Sequence, residues 1–340
     1  MSSWHAKADQ GWEGKTIADR YVVGRKLGSG AMANVHQALD KRLDRVVAIK
    51  ILRSDNEHGK DYAKRLFREA KSAAKVTHHN TIAIFDVGQT GETVYVVMEL
   101  LEGRPLNELL RDEKMLPPVF VMDAARQTAE ALTAIHRAGI VHRDIKPENL
   151  FVVDSSSGAS LKLLDFSIAK LSAEQESQQL TMEGAVIGSA YYMAPEQVRA
   201  LPVSSKTDLY ALGCVIYECI TGRPPYTAGT LVDLWAKHLT APPPRIENAV
   251  AGVPLDLSDL VVQMMAKDPE HRPPSAAAVA HRLGELIELG LGRGMTSKGR
   301  PRGVTRTEKY ATERHPGPID QPTETPKDIA ERTTRKMRKD

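Results

Sequence analysis

The sequence predicts an α+β chain of two unequal lobes, strand-rich first and helix-rich afterwards, and three observations carry that prediction. Short runs rich in Val, Ile and Tyr (YVVGRKLG, VVAIKIL, IAIFDVG, TVYVVMEL) recur between Tyr21 and Glu99, which is the pattern of β-strands. From Leu106 onward apolar residues return at three- and four-residue intervals, most clearly from Val119 to Ala138, which is the period of a helix. Between the two regions, Leu101-Glu102-Gly103-Arg104-Pro105 reads as a turn-forming connector. A cleft between two such lobes is a preferred place for a small ligand.

In chain order, residues 1–20 read as a lead. Residues 21–99 form the strand-rich lobe, interrupted by one helix from about Tyr62 to Val76. Residues 99–105 make the connector, 106–290 the helical lobe, and 291–340 a tail. The Pro-rich patch from Ala241 to Arg245 reads as a surface loop inside the second lobe.

Composition narrows the class. The chain has 340 residues, 26% of them charged, which suits a globular protein and excludes fibrous classes. Its 46 Lys and Arg against 43 Asp and Glu give a formal charge of only +3, a balance that itself predicts nothing about nucleic acid, and no nucleic-acid partner is expected. The basic excess lies in the tail, where Thr296 to Asp340 holds 12 basic and 7 acidic residues. Large apolar side chains there shrink to Val304, Tyr310, Ile329 and Met337, too few to offset the entropy of ordering, so the composition predicts disorder.

The terminal Arg332, Arg335, Lys336, Arg338 and Lys339 read first as a solvated cluster, with an arm for nucleic acid or anionic membrane as the alternative. Cys214 and Cys219, five residues apart in an apolar helical run, point about 140° from each other. They read as buried thiols in a reducing compartment, neither a disulfide nor a metal site. No run approaches the roughly 20 apolar residues of a spanning helix, and MSSWHAKADQ has no apolar signal region. The expectation is a cytoplasmic chain without a membrane span.

Residue chemistry is concentrated in a few strings. Gly28-Ser29-Gly30-Ala31-Met32-Ala33 approaches G-x-G-x-x-G, with alanine in the third place. A hairpin turn would explain these glycines equally well. The dinucleotide-binding version needs a helix directly afterwards, whereas Val35 to Leu39 reads as a strand. Val47-Ala48-Ile49-Lys50 then places a lysine at the end of a buried-type strand, where an unpaired ammonium would cost several kcal/mol. Glu69 on the following helix is a candidate partner.

His142-Arg143-Asp144-Ile145-Lys146-Pro147-Glu148-Asn149 follows, and then Leu163-Leu164-Asp165-Phe166-Ser167. Phosphoryl transfer needs this set: a carboxylate to orient a hydroxyl, hard oxygen ligands for Mg²⁺, and a cation over developing phosphate charge.

With these strings in order, the sequence resembles the protein kinases, and specifically the bacterial eukaryotic-like (Hanks-type) Ser/Thr kinases, over about Tyr21 to Leu289. Ala194-Pro195-Glu196, Asp208 with Gly213, and Arg272 extend the match. The resemblance implies a bilobal kinase fold and transfer of the ATP γ-phosphate to Ser/Thr hydroxyls of proteins, with Mg²⁺ or Mn²⁺. It further implies the following roles. The backbone from Gly28 through Ser29, Gly30, Ala31, Met32, Ala33 and Asn34 would cover the phosphates. Lys50 would hold the α- and β-phosphates and pair with Glu69. Asp144 would orient the acceptor hydroxyl and Lys146 would neutralise the γ-phosphate, while Asn149 and Asp165 would bind the metal. Leu27, Val35, Ala48, Met98 and Phe151 would enclose adenine, and the backbone of Glu99 and Leu101 would hydrogen-bond it.

Ser189 would bridge the Asp144 and Lys146 region, and Thr181 would be an autophosphorylation site whose phosphate pairs with Arg143. Glu196 with Arg272, and Asp208 beneath the loop, would be structural. Two departures stand out. Ser167 replaces the glycine of D-F-G, and Ala33, in place of the third loop glycine, would put a methyl over the phosphates. Glu183 would supply part of the activation-loop charge permanently.

The alternative function is a catalytically weak pseudokinase-like scaffold. Such proteins typically lose the lysine or one of the two aspartates, and Lys50, Asp144 and Asp165 are all present. Implied partners are protein substrates, a phosphothreonine-reading domain recruited by the tail, and a kinase homodimer. Relatives often continue into a membrane helix and external domain, so regulation is expected to arrive from the cytoplasm or through dimerisation.

Overall fold

The computed structural model describes residues 11–29, 33–52, 67–68, 70–91, 93–153, 160–164 and 185–290. The first lobe is a six-stranded antiparallel sheet in the order β1-β2-β3-β4-β6-β5. Its strands are β1 (Thr16–Ile17), β2 (Tyr21–Ser29), β3 (Ala33–Asp40), β4 (Arg45–Leu52), β5 (Ile84–Thr90) and β6 (Thr93–Met98). The sheet therefore starts ahead of Tyr21, inside the stretch read as a lead: β1 pairs with β2 and Ile17 is buried. Two residues carry no period, which hides such a strand from sequence patterning.

Period-two alternation in β4 sorts the lobe's interior. Val47, Ile49 and Ile51 join Tyr21, Val23, Tyr95 and Val97 in one apolar cluster, while Ala48 and Leu52 join the main core on the other face. Lys50 shares the face of Ala48 and Leu52. The helical segment expected from about Tyr62 is described at residues 67–68 and 70–73.

The second lobe opens with a surprise in the connector. Gly103–Pro105 is itself a strand, β7, pairing antiparallel with β8 (Leu150–Val153), which pairs with β9 (Ser160–Leu163). Gly103 sits at φ +141, and a Cβ there would lie 2.1 Å from the Val152 carbonyl oxygen, so only glycine fits.

Helices α1 (Leu106–Glu113) and α2 (Pro118–Arg137) follow, the latter matching the periodic run. After α3 (Ala185–Ala190) and α4 (Pro195–Val198), helix α5 (Ser205–Thr221) is buried nearly all round. Both cysteines lie in α5, buried and unbridged. Ser204 caps its start by accepting from Lys206 N, and Gly222 ends it in the left-handed region. Helices α6 (Leu231–Thr240), α7 (Leu255–Met264) and α8 (Ala276–Glu288) complete the lobe. Gly213 lets α7's end approach α5, since a Cβ there would meet Met265 Cγ at 2.9 Å.

A second connection joins the lobes. Ile82 N donates to Leu163 O and Leu163 N to Asn80 O, so the segment before β5 runs alongside β9. Asn80, 1% exposed, also donates to Gln127 Oε1 of α2 and to Leu161 O.

Candidate active site

The loop 142–149 is held from below by one carboxylate. Asp208 in α5, 1% exposed, accepts from His142 N at 2.9 Å and Arg143 N at 2.7 Å, and contacts His136 Nε2 at 2.7 Å. These bonds keep Arg143 at φ +67, a conformation costing a non-glycine residue about 1–3 kcal/mol. Buried His142 receives Asp144 N at Nδ1 (3.4 Å), which leaves the proton on Nε2 to donate to Leu164 O at 2.9 Å. Leu164 N in turn donates to Asn149 O at 2.8 Å. The loop and the end of β9 are thereby locked in register, immediately before Asp165.

At the top of this support three polar groups converge. Lys146 Nζ lies 3.0 Å from Asp144 Oδ2 and donates to Ser189 Oγ at 2.8 Å. Asn149 Nδ2 donates to Asp144 O at 2.7 Å and Oδ2 at 3.1 Å. Its donor is committed to Asp144, so its Oδ1 is the atom suited to a hard cation. A small cavity beside Asp144 is lined by Ser189, Tyr192, Met193 and Gln197 among others.

Behind that cavity Tyr192 OH donates to Glu218 Oε2 at 2.5 Å. Burial pushes the Tyr192 phenol well above its ordinary value, with Glu218 adding to the rise. Burial likewise raises the Glu218 carboxyl against the opposing pull of that hydrogen bond.

Register assembles the facing side of the cleft. Ala48 pairs with Met98 and Lys50 with both Val35 and Val96, so Val35, Ala48, Lys50 and Met98 share one face of the sheet. Leu27 is 39% exposed, and Phe151 on β8 is half-buried opposite Pro105. Glu99 N donates to Ala83 O, so the atom Glu99 offers a ligand at this point is its carbonyl, with Leu101 following two residues on. Gly28 and Ser29 are exposed at the end of β2. Asn34 is 3% exposed and accepts from Ser29 Oγ at 2.8 Å, closing the hairpin.

Ala33, 5% exposed, pairs with Leu52 and lies on the same sheet face as Val35 and Lys50. Gly30, Ala31, Met32, Glu69, Asp165, Ser167, Thr181 and Glu183 lie outside the described residues, as does the tail from residue 291.

The fold and this loop agree with what known proteins contain. The sequence profile of the protein kinase domain matches residues 21–283, more than three quarters of the chain. The chain belongs to the protein kinase family. Kinase relatives include the serine/threonine-protein kinase PknB of Mycobacterium leprae, 37% identical over 281 residues covering 82% of this chain and 44% of that one. The serine/threonine-protein kinase PrkC of Bacillus subtilis is 38% identical over 263 residues, covering 77% of this chain and 40% of its own length. This chain thus spans less than half the length of these curated relatives. Among solved structures, the kinase domain of Mycobacterium tuberculosis PknI superposes with a TM-score of 0.64 at 23% identity, covering 81% of this chain and 98% of that one, which shows the shared fold.

Glu196 and Arg272 form a buried ion pair in the second lobe. Arg272, 2% exposed, donates to both Glu196 oxygens at 2.7 and 2.8 Å and to three backbone carbonyls, while Thr207 Oγ1 donates to Glu196. Burial works to raise the Glu196 carboxyl, but Arg272 and Thr207 outweigh it and hold the group below its ordinary value. Among the described residues no helix is long and apolar enough to cross a membrane.

Three features of the site escape sequence reading. Gln197 Nε2 donates to Arg143 O, the Glu99 side chain is bonded to Ala83 N and Lys162, and residues 185–190 form a helix carrying Ser189. Only the first had a signal, a polar side chain directly after Pro195-Glu196.

Proposed function

We propose that this chain is a protein serine/threonine kinase that transfers the γ-phosphate of ATP to hydroxyls of protein substrates. The observation that carries this reading is the convergence of Lys146 and Asn149 on Asp144, with Ser189 holding Lys146, on a loop tied down by Asp208. Asp144 accepts or orients the proton of the acceptor hydroxyl as its oxygen attacks the γ-phosphorus and the bond to the ADP oxygen breaks. Lys146 sits where it can neutralise charge on the transferred group and steady the Asp144 carboxylate. Ser189 holds Lys146 from the substrate side. Lys50, on the cleft face of β4, anchors the α- and β-phosphates with Glu69 as its partner.

Protein kinases use ATP with a divalent metal, and the oxygen donors here, Asn149 Oδ1 and Asp165, suit Mg²⁺ or Mn²⁺. That ion supplies charge neutralisation across the phosphates when bound. Leu27, Val35, Ala48, Met98 and Phe151 sandwich adenine, with the Glu99 carbonyl and Leu101 backbone reading its edge. Thr181 is the autophosphorylation site and Arg143 the partner of its phosphate.

Two finer partners belong to the same reading. The threonines of the tail recruit a phosphothreonine-reading domain. A kinase homodimer is supported by the exposed apolar side chains of Leu39, Leu43 and Val46 on the first lobe.

Incubation with labelled ATP and Mg²⁺, with and without a generic basic protein, tests the activity. Incorporation on Ser and Thr that disappears in Asp144→Asn is the expected result. Normal nucleotide binding with no incorporation by the unaltered chain would overturn it.

A further inference from the structure

Glu99 stands at the start of the connector, and its side chain is held as firmly as its backbone. Its N–H donates to Ala83 O at 3.0 Å while its Oε1 accepts from Ala83 N at 2.7 Å. The same oxygen accepts from Lys162 Nζ at 2.8 Å. Lys162 lies on β9, directly opposite Phe151 on β8 and three residues ahead of Asp165. Its ammonium also reaches Thr81 O at 3.3 Å. The Lys162 and Glu99 side chains are 18% and 23% exposed, so the pair is partly withdrawn from water and more effective than a surface ion pair.

We propose that Lys162 is a positioning residue for the nucleotide, acting through Glu99. The inference rests on the kinase reading above. Adenine would be read by the backbone of Glu99 and Leu101, whereas the phosphates and metal would be held by residues at the end of β9 and on the loop beside it. These two halves of one binding site sit on different elements. Lys162 is the side chain that joins them, because it rises from the metal-side strand and grips the carboxylate of the adenine-side residue. Without it, Glu99 keeps Ala83, whose neighbour Ile82 still bonds Leu163 of β9, but loses its direct tie to β9, so the spacing between the two halves is held less tightly. The cost falls on nucleotide binding, since the bound state must narrow a spacing the free protein holds more loosely. The transfer step itself, carried out around Asp144, is left intact.

The test compares the unaltered full-length chain with Lys162→Met, Lys162→Arg, Glu99→Gln and the Lys162→Met/Glu99→Gln double variant. A fluorescent ATP analogue gives Kd, and steady-state phosphorylation gives KM and kcat. Lys162→Met should weaken analogue binding and raise the KM for ATP by about threefold to tenfold, with kcat changed less than about twofold. Lys162→Arg should recover most of the loss. Glu99→Gln keeps an acceptor for Ala83 but removes the charge, so the double variant should bind no more weakly than Lys162→Met alone. Unchanged Kd and KM in Lys162→Met would overturn the inference. So would a fall in kcat alone, or additive losses in the double variant. If the unaltered chain bound no nucleotide at all, the kinase reading would fail and this inference with it.

Discussion

The Lys146 ammonium lies 3.0 Å from the Asp144 carboxylate and 2.8 Å from the Ser189 hydroxyl, so one cation joins the loop of the second lobe to the helix in front of it. Lys146→Met removes a preorganised donor from the reacting region. Phosphate transfer should fall by about a hundredfold or more. Nucleotide affinity and melting temperature should stay close to those of the unaltered chain. Ser189→Ala, which deletes only a neutral partner, should cost less. Initial rates at saturating ATP, alongside a thermal melt, check the order.

Asp208→Ala leaves the buried backbone N–H groups of His142 and Arg143 without their acceptor and releases the strained Arg143 backbone. Each orphaned donor costs about 1–3 kcal/mol. The variant should lose several degrees of melting temperature and most of its activity together. This separates it from Asp144→Asn, which should lose activity and keep its stability.

Breaking the Glu196–Arg272 pair by Arg272→Met should destabilise the fold by about 3–5 kcal/mol, because the carboxylate is left buried without its cation. Replacing both partners with apolar residues of similar size should recover part of that loss. Urea unfolding of the single and double variants measures both.

Acid should act through His238. It is fully buried, with Tyr210 OH 2.9 Å from Nδ1, and Nε2 has no hydrogen-bond partner among the described residues. Burial, with repulsion from Lys267, lowers its pKa from the ordinary 6.5 to about 3. The unfolded chain therefore binds more protons than the folded one between those values, so stability rises with pH across that window and is lost on acidification below about 6.5. Melting curves from pH 7 to pH 4 should show this, and His238→Gln should flatten the profile. A variant profile parallel to the unaltered one would show that His238 is not the group responsible.

Much of the fold was legible. Strands β2, β4, β5 and β6 fall largely within the Val-, Ile- and Tyr-rich runs, although β6 is buried on both faces instead of alternating, and α2 has an apolar stripe. The loop from His142 to Asn149 could be read because its chemistry is compressed into eight consecutive residues. What escaped was non-local. Glycine and proline argue against a strand, yet Gly103–Pro105 pairs with β8 because that backbone approaches more closely than any side chain would permit. The Glu99 carboxylate was read for its backbone alone, since nothing local indicates that a lysine 63 residues away will meet it.

The pairing of residues 80–82 with Leu163 has a mechanical consequence. Together with the connector ahead of β7, it fastens the first lobe to the second at two separate places. Two pivots define a line, and any motion that preserves both is a rotation about that line, like a door on two pins. Opening and shutting over the cleft remain free, whereas sliding or twisting of one lobe across the other must first break the bonds around Asn80.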